Sequence, residues 1–534
     1  MAVVMVIGML PMQAFAESTT SPWVWYQPEN EYEPGYYQSV TVNSWADLET
    51  AIATVPDDLN RSETNPSLLI DPVNFTWPAE TEGTITNLVI DYNNNTSSDY
   101  GIMPAIKIHT TSTSEVVKWE IPEHINLICY ENLESSYSGT TGIVVNGSFE
   151  LYSDITLEKE GEEFIVNGTL KYMRNENIIA DKVVIAEGGL LTGSNDQIDL
   201  RSSPVVVENG GKIDTSMPFF VCDFTVEKGA EVITNYISLQ EYEGVSSITI
   251  KENTINNHIY VEAYTPATII SEGESVINGD IHVRGVQNVS LSGDIVINGG
   301  IAAIFSSAES PATVTVEKDA NVELHGRIDG YSYYMDLNVK GNLTFCDGKY
   351  NDIGISDINF DGGTIRLEPG TRLTTNLGSP EKMSVTGKGT FYLVADMVDG
   401  EWVNKPSVFN VNDADGPETY YAEGSEIAFI RNWEDCEHTW SDPVTNEGKE
   451  ESTCDKCGAV KTTTASGETQ TGCLLTFQFP DELCDMYAVK ANTDNPKYYS
   501  GDRVASGTYL AYEIVNIADG YRIKSVTIVS RRNS

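Results

Sequence analysis

Short β-branched runs recur through the middle of this chain, each followed by a turn residue and a further apolar position. The stretches "VVIAEGGLL" at 183, "VVVENGGKI" at 205, "FTVEKGAEV" at 224, "VTVEKDANV" at 314 and "IRLEPGTRL" at 365 share the form apolar-x-apolar-x-x-Gly-x-x-apolar. A shorter variant, apolar-x-apolar-x-Gly, appears in "IVVNGSF", "FIVNGTL", "LNVKGNL" and "MSVTGKG". Anchors fall at 147, 168, 188, 210, 229, 253, 273, 300, 319, 341, 370 and 387, with gaps of 17 to 29 residues. Most are glycine, and Asn253 and Asp319 take its place. All three residue types tolerate positive φ, so each anchor is expected at a tight corner. A coil of ~20 residues holds three strands of ~4–5 residues plus corners. With strand alternation and no intervening helix, the pattern predicts a parallel β-solenoid. Leucine-rich repeats share the period but not the frame; a β-sandwich is the structural alternative.

Ahead of the repeat, "VNSWADLETAIATVP" carries the one convincing helix signal. Ser44 with Asp47 fits a capping box, Trp45, Leu48, Ile52 and Val55 share a face, and Pro56 ends the pattern. An amphipathic helix before a strand-rich chain needs an apolar surface to cover. Together, the coil pattern and "SWADLETAI" resemble the right-handed parallel β-helix of the pectate-lyase-like superfamily, and in particular large surface proteins of Gram-positive gut anaerobes. The resemblance spans roughly residues 41–430. It implies a helix closing the open end of the solenoid, and it speaks for fold more than for function.

Charge narrows the partners. With 79 acidic against 32 basic residues the formal net charge is −47, which repels nucleic acid and anionic lipid. Polyanionic glycans are disfavoured unless divalent cations bridge them. Residues 1–16 read as a secretory signal: "AVVMVIGMLPMQ" leads into Ala14-Phe15-Ala16. No Lys or Arg precedes the apolar run, so the true signal is expected to begin upstream of Met1. No later segment approaches the ~20 apolar residues that span a bilayer. Residues 17–40, rich in Pro, Trp and Tyr, read as a linker.

Eight cysteines are placed unlike a disulfide framework. Cys129, Cys222 and Cys346 are isolated and expected to be buried as small hydrophobes. Cys473 and Cys484 either pair or remain thiols. In "CEHTWSDPVTNEGKEESTCDKCG", Cys436, His438, Cys454 and Cys457 form two ligand pairs that suit tetrahedral zinc. Four protein ligands leave no open position, so the expected zinc is structural. A redox pair and a disulfide in place of metal are the alternatives. The stretch is similar to a small C-x-H-x-W…T-C-x-x-C-G module of Gram-positive surface proteins, which implies a connector rather than a catalyst. Beyond it, "GDRVASGT" and "GYRIKSVTIVS" resemble internalin-type small β repeats; such units usually continue beyond the point where this sequence ends.

No catalytic pair stands out. Asp196 and Asp199 are three apart on one strand and so fall on opposite faces. The G-H-G signature of polygalacturonase-type enzymes is missing. His282 with Arg284 and His325 with Arg327 form two H-x-R pairs, explained most simply as exposed ladder positions. "NVNDADG" at 410 reads as a solvated turn rather than a calcium loop. The expected organisation is a signal at 1–16, a linker at 17–40, a cap and first coils at 41–140, a solenoid at 141–432, a zinc-ribbon-like module at 433–465 and a small β domain at 466–534. The expected protein is all-β, monomeric, extracellular or wall-associated, with an adhesive or structural role and glycans or host or cell-surface proteins as partners. A carbohydrate-active β-helix enzyme and a non-catalytic glycan binder are the alternatives.

Overall fold

A period of two in hydrophobicity turns these runs into strands. Ser246–Lys251 alternates buried and half-exposed side chains along its whole length, because successive side chains on an extended backbone point to opposite sides. The computed structural model describes residues 21–431 apart from internal gaps, the longer ones being 28–34, 60–65, 93–102, 376–383 and 410–419. It further describes 439–446, 449–454 and 460–464 and five short strands between Cys473 and Val515. The fold is all-β, a parallel β-solenoid of about 10 turns with one helix near the N-terminus. The chain divides into two compact units, Met1–Glu163 and Phe164–Ser534.

In the first unit, Val40–Val42, Ser67–Ile70, Ala105–Ile108, Leu133–Ser135 and Ile155–Thr156 stack in parallel. Thr86–Ile90, Ile125–Cys129 and Ser148–Leu151 form a second stack, and Val117–Ile121 with Thr141–Val145 a third. Within the stretch read as a linker, Trp25–Tyr26 pairs antiparallel with Tyr36–Tyr37. The helix spans Trp45–Ala53, and the Ser44 hydroxyl accepts the Asp47 amide at 3.1 Å, as the capping signal predicts. Its buried residues are Trp45, Leu48 and Ala51; Ile52 and Val55 are only half-buried. The buried residues follow at three-residue spacing, Val55 lies beyond the end of the helix, and the Trp23 indole N–H donates to the Ala51 carbonyl at 2.9 Å. Trp45 stacks on Trp77 at 6.1 Å and Trp77 on the buried Trp119 at 5.3 Å, with Phe75 edge-on to both Trp77 and Trp119. Burial pushes the Cys129 thiol up to about 12, so it stays a neutral apolar group.

In the second unit, three faces are distinguishable. The first runs through Lys182–Ile185, Val205–Val207, Asp223–Val226, Ser246–Lys251, Ala267–Ile277 and Asn288–Ile297. The second begins with Thr169–Tyr172, Leu190–Gly193, Lys212–Asp214 and Glu231–Ile233. The third stacks Ile198–Leu200, Phe219–Val221, Tyr236–Leu239, His258–Val261, Ile281–Arg284 and Ile301–Ile304. Ala267–Ile277 and Asn288–Ile297 are long because each runs through a corner that interrupts earlier coils.

Of the expected corner anchors, Gly188, Gly210, Gly229, Gly273 and Gly387 do take positive φ. Asn253 does not. There the preceding Glu252 takes φ +42°, and the Asn253 side-chain amide donates to the Glu227 and Ala230 carbonyls at 2.7 and 2.9 Å. The corner is held by a side-chain clamp to the coil before, not by αL geometry at the anchor.

One stacked column is electrostatically costly. Asp336 lies in register with Thr313 on one neighbouring coil, and Asp357 stands at the matching place on the other. Burial, then the Asp357 charge, pushes the Asp336 carboxyl up to about 6 from an ordinary 3.8. One Asp336 oxygen is buried without a hydrogen-bond partner. A carboxyl whose folded pKa is raised binds more protons folded than unfolded, so its penalty is absent below pH ~4 and grows as pH rises through ~6. Asp336→Asn is therefore expected to raise the midpoint of thermal unfolding at pH 7.5 and leave it unchanged near pH 4. Scanning calorimetry at both pH values checks this, and equal shifts at both would contradict it.

Glu426–Arg431 continues the parallel series from Ser384–Leu393 and on its other edge pairs antiparallel with Val460–Thr464, which in turn pairs with Lys449–Thr453 and that with Val444–Asn446. Asp485–Lys490 pairs antiparallel with Leu510–Val515 and with Lys497–Tyr498, as the alternation there predicts.

Candidate functional site

The third face of the second unit gathers its outward residues into columns. Its inward residues, among them Ile237, Leu239, Ile259, Val261, Ile281 and Val283, are buried in the core. The outward positions follow from the register. Asp199, Phe220, Ser238, Tyr260, His282 and Ala302 stand one above another. Tyr236 pairs with His258, and Asp280 occupies the matching position one coil on. A third column carries Arg201, Gln240, Glu262 and Arg284 just after each strand core.

Neighbouring columns interlock. Tyr236 and Tyr260 lie 4.7 Å apart between ring centroids, and Tyr260 stacks on the His282 imidazole at 4.4 Å and 20°. The Arg284 guanidinium sits 4.9 Å from the Tyr260 ring centre and donates to both Glu262 oxygens at 3.1 Å. Ser238 donates a further hydrogen bond to Glu262 at 3.3 Å. At the other end, Arg201 pairs with Asp199, donates to Gln240 at 2.9 Å and lies 5.5 Å from the Phe220 ring centre. Rings, guanidinia and carboxylates thus alternate along one face, Asp199 buried and the others half-buried, each oriented by its neighbours. The next coil places Gly300 after Asp280 and Ala302 after His282, and the alanine side chain is too small to cover the His282 ring.

The corner preceding this face explains why the columns register so closely. Asn256, Asn278 and Asn298 form an amide ladder, Asn278 donating to the Asn256 side-chain carbonyl and Asn298 to that of Asn278, both at 2.6 Å. Beside it, Gly279, Gly299 and Gly326 stack, and a Cβ on any of them would overlap backbone of the preceding coil. Only glycine permits that approach. Asp280 follows directly: its amide donates to His258 Nδ1 at 3.0 Å, and its Oδ1 accepts the Gly300 amide at 2.6 Å.

Burial holds the His282 imidazole below its usual range, and the neighbouring His258 and Arg284 act in the same direction while Asp280 opposes them. Burial and the Glu262 charge push the Tyr236 phenol up. Both groups therefore present neutral, flat rings at neutral pH.

Of the expected zinc ligands, Cys454 is buried and forms an isolated antiparallel bridge to Trp440. Cys436, His438 and Cys457 lie outside the described residues, as do residues 1–20, Asp196, Cys484 and the 410–416 turn. Cys129 and Cys222 are buried as expected, whereas Cys346 is partly exposed beside His325 and Glu323. The two H-x-R pairs are not equivalent: His282 and Arg284 lie in the third-face strand, while His325 and Arg327 flank Gly326 at the corner. Tyr260, Glu262 and Asp280 were not singled out by sequence. Their signal is the heptapeptide series "INNHIYV" at 255, "INGDIHV" at 277 and "INGGIAA" at 297. Aligned, these place His258 over Asp280 and Tyr260 over His282.

No family model matches the chain, and no curated protein or solved structure matches it. Function therefore rests on the geometry of this face. Among the described residues no helix is long and apolar enough to cross a membrane.

Proposed function

We propose that this protein is an exported β-solenoid adhesin whose third face, from Phe220 to Arg284, binds carbohydrate without turning it over. The observation that carries the reading is the Tyr236–Tyr260–His282 ring series bordered by the Arg284–Glu262 pair. Sugar rings offer apolar C–H faces and a fringe of hydroxyls. Aromatic faces match the first, and fixed planar donors and acceptors match the second. Glu262 is already committed to Arg284 and Ser238, which suits orientation of hydroxyls better than proton transfer. The acidic surface directs the preference toward neutral glycans. Export follows from the residue 1–16 signal, and zinc at Cys436, His438, Cys454 and Cys457 would staple the connector that follows the solenoid.

A glycan array with the wild-type chain, followed by calorimetric titration of the best neutral oligosaccharide, tests the reading. Tyr260→Ala is expected to weaken binding roughly tenfold or more, as truncation of a central aromatic anchor does. Undiminished affinity in a folded Tyr260→Ala chain would sink the proposal. Turnover on a polysaccharide panel would replace it with the hydrolase or lyase reading.

A further inference from the structure

On the same face, two imidazoles and a carboxylate from adjacent coils converge beside the tyrosines. We infer that His258, Asp280 and His282 form a binding site for a first-row transition cation of the zinc class, with at least one coordination position open to solvent or ligand. The inference stands apart from the carbohydrate reading: the two share His282 alone, and this one predicts binding of the metal without any glycan.

Geometry carries it. One ligand atom from each of the three residues lies within 4.8 Å of the others. His258 Nδ1 is 3.4 Å and His282 Nε2 4.0 Å from Asp280 Oδ2. Ligand atoms about 2.0–2.1 Å from a tetrahedral zinc are about 3.3 Å apart. The first separation already suits a cation, and the second needs to close by only about 0.7 Å. Two imidazoles with one carboxylate are a donor set for zinc, cobalt, nickel or copper, whereas calcium and magnesium require six or more oxygens.

The ligands are also oriented in advance. Asp280 Oδ1 is held by the Gly300 amide, which leaves Oδ2 facing the two imidazoles. His282 is stacked on Tyr260, and its Nδ1 is buried without a hydrogen-bond partner, so Nε2 is the nitrogen presented to Asp280. His258 is the exposed member. Its Nδ1 accepts the Asp280 amide through the lone pair that a cation would take, so binding exchanges that hydrogen bond for a metal bond. Arg284, a cation that acts on His282, is paired with Glu262. Asn278, Gly279 and Gly300 hold the supporting backbone, the kind of outer shell on which metal affinity depends.

The test uses the full chain, reduced and stripped with chelator, titrated with Zn²⁺ by calorimetry and with Co²⁺ by absorption. His258→Gln, Asp280→Asn and His282→Gln are compared with wild type. Each is expected to lose one equivalent of Zn²⁺ or bind it roughly tenfold more weakly. Co²⁺ at this site should lack the thiolate charge-transfer band that any cysteine site gives, so the variants lose visible absorption while keeping that band. A hundredfold excess of Ca²⁺ should not displace the ion. Unchanged stoichiometry and affinity in folded His258→Gln and Asp280→Asn chains would overturn the site, and so would full displacement by Ca²⁺. Glycan binding that persists in chelator would leave the carbohydrate reading intact, so the two proposals fail separately.

Discussion

Trp119→Ala is expected to cost the first unit about 3–5 kcal/mol, the range for removing a fully buried tryptophan. The indole is 1% exposed and stacks on Trp77, which in turn stacks on Trp45 of the capping helix. Phe75 meets it edge-on at 5.8 Å. Deleting the ring leaves a cavity that the strands cannot close, because Trp119 sits in register with Ile143 on the next coil and both backbones are committed to the ladder. Trp119→Phe should cost much less. It keeps most of the apolar volume and removes an indole N–H that is buried with no hydrogen-bond partner. Urea unfolding monitored by amide exchange checks both, since stability in repeat folds is local and the loss should appear first in Val117–Ile121 and Thr141–Val145. Global exchange changes of equal size everywhere, or equal cost for Ala and Phe, would contradict this account.

Gly299→Ala is the second large effect expected, at about 2–3 kcal/mol, the usual range for forcing extra atoms into a packed interior. The new Cβ would overlap the Gly279 carbonyl, and Gly326 presses on Gly299 from the other side. The chain cannot relieve one contact without tightening the other. The two coils must therefore separate, which strains the Asn278–Asn298 amide bond and the Asp280–Gly300 hydrogen bond. The distinguishing readout is the site. A chain that retains its fold should lose zinc affinity at His258, Asp280 and His282 even though none of them is altered. By contrast Gly188→Ala, at a corner with φ +80° and no backbone within overlap distance, should cost only about 1 kcal/mol and leave the third face untouched. Comparable losses for the two glycines would show that the column is not specially constrained.

The corners show how far local reading reaches. A glycine at the end of an apolar-x-apolar run signals a turn, and five of the expected anchors do adopt positive φ. Sequence cannot say whether a glycine is needed for its dihedral or for the closeness of a neighbouring coil. Gly188 is the first kind; Gly279 and Gly299 are the second, and were not among the anchors. The helix illustrates the same limit: Ser44 and Trp45 mark its start from local chemistry, whereas the bond from the Trp23 indole to the Ala51 carbonyl joins residues 28 apart. Asn253 occupies an expected corner, but its role is a hydrogen bond to carbonyls 23 and 26 residues away.

The sequence by itself determined the β-solenoid, the period of its coils and the position of its one helix, because these depend on side-chain alternation and turn chemistry within a few residues. Only the tertiary structure decided which outward residues meet. His258 is separated from Asp280 and His282 by a whole coil of chain, and a shift of one residue in register would turn it to the opposite side of its strand. The register is set where the amide ladder and the glycine column lock each coil onto the last, and that contact exists only once the coils are stacked.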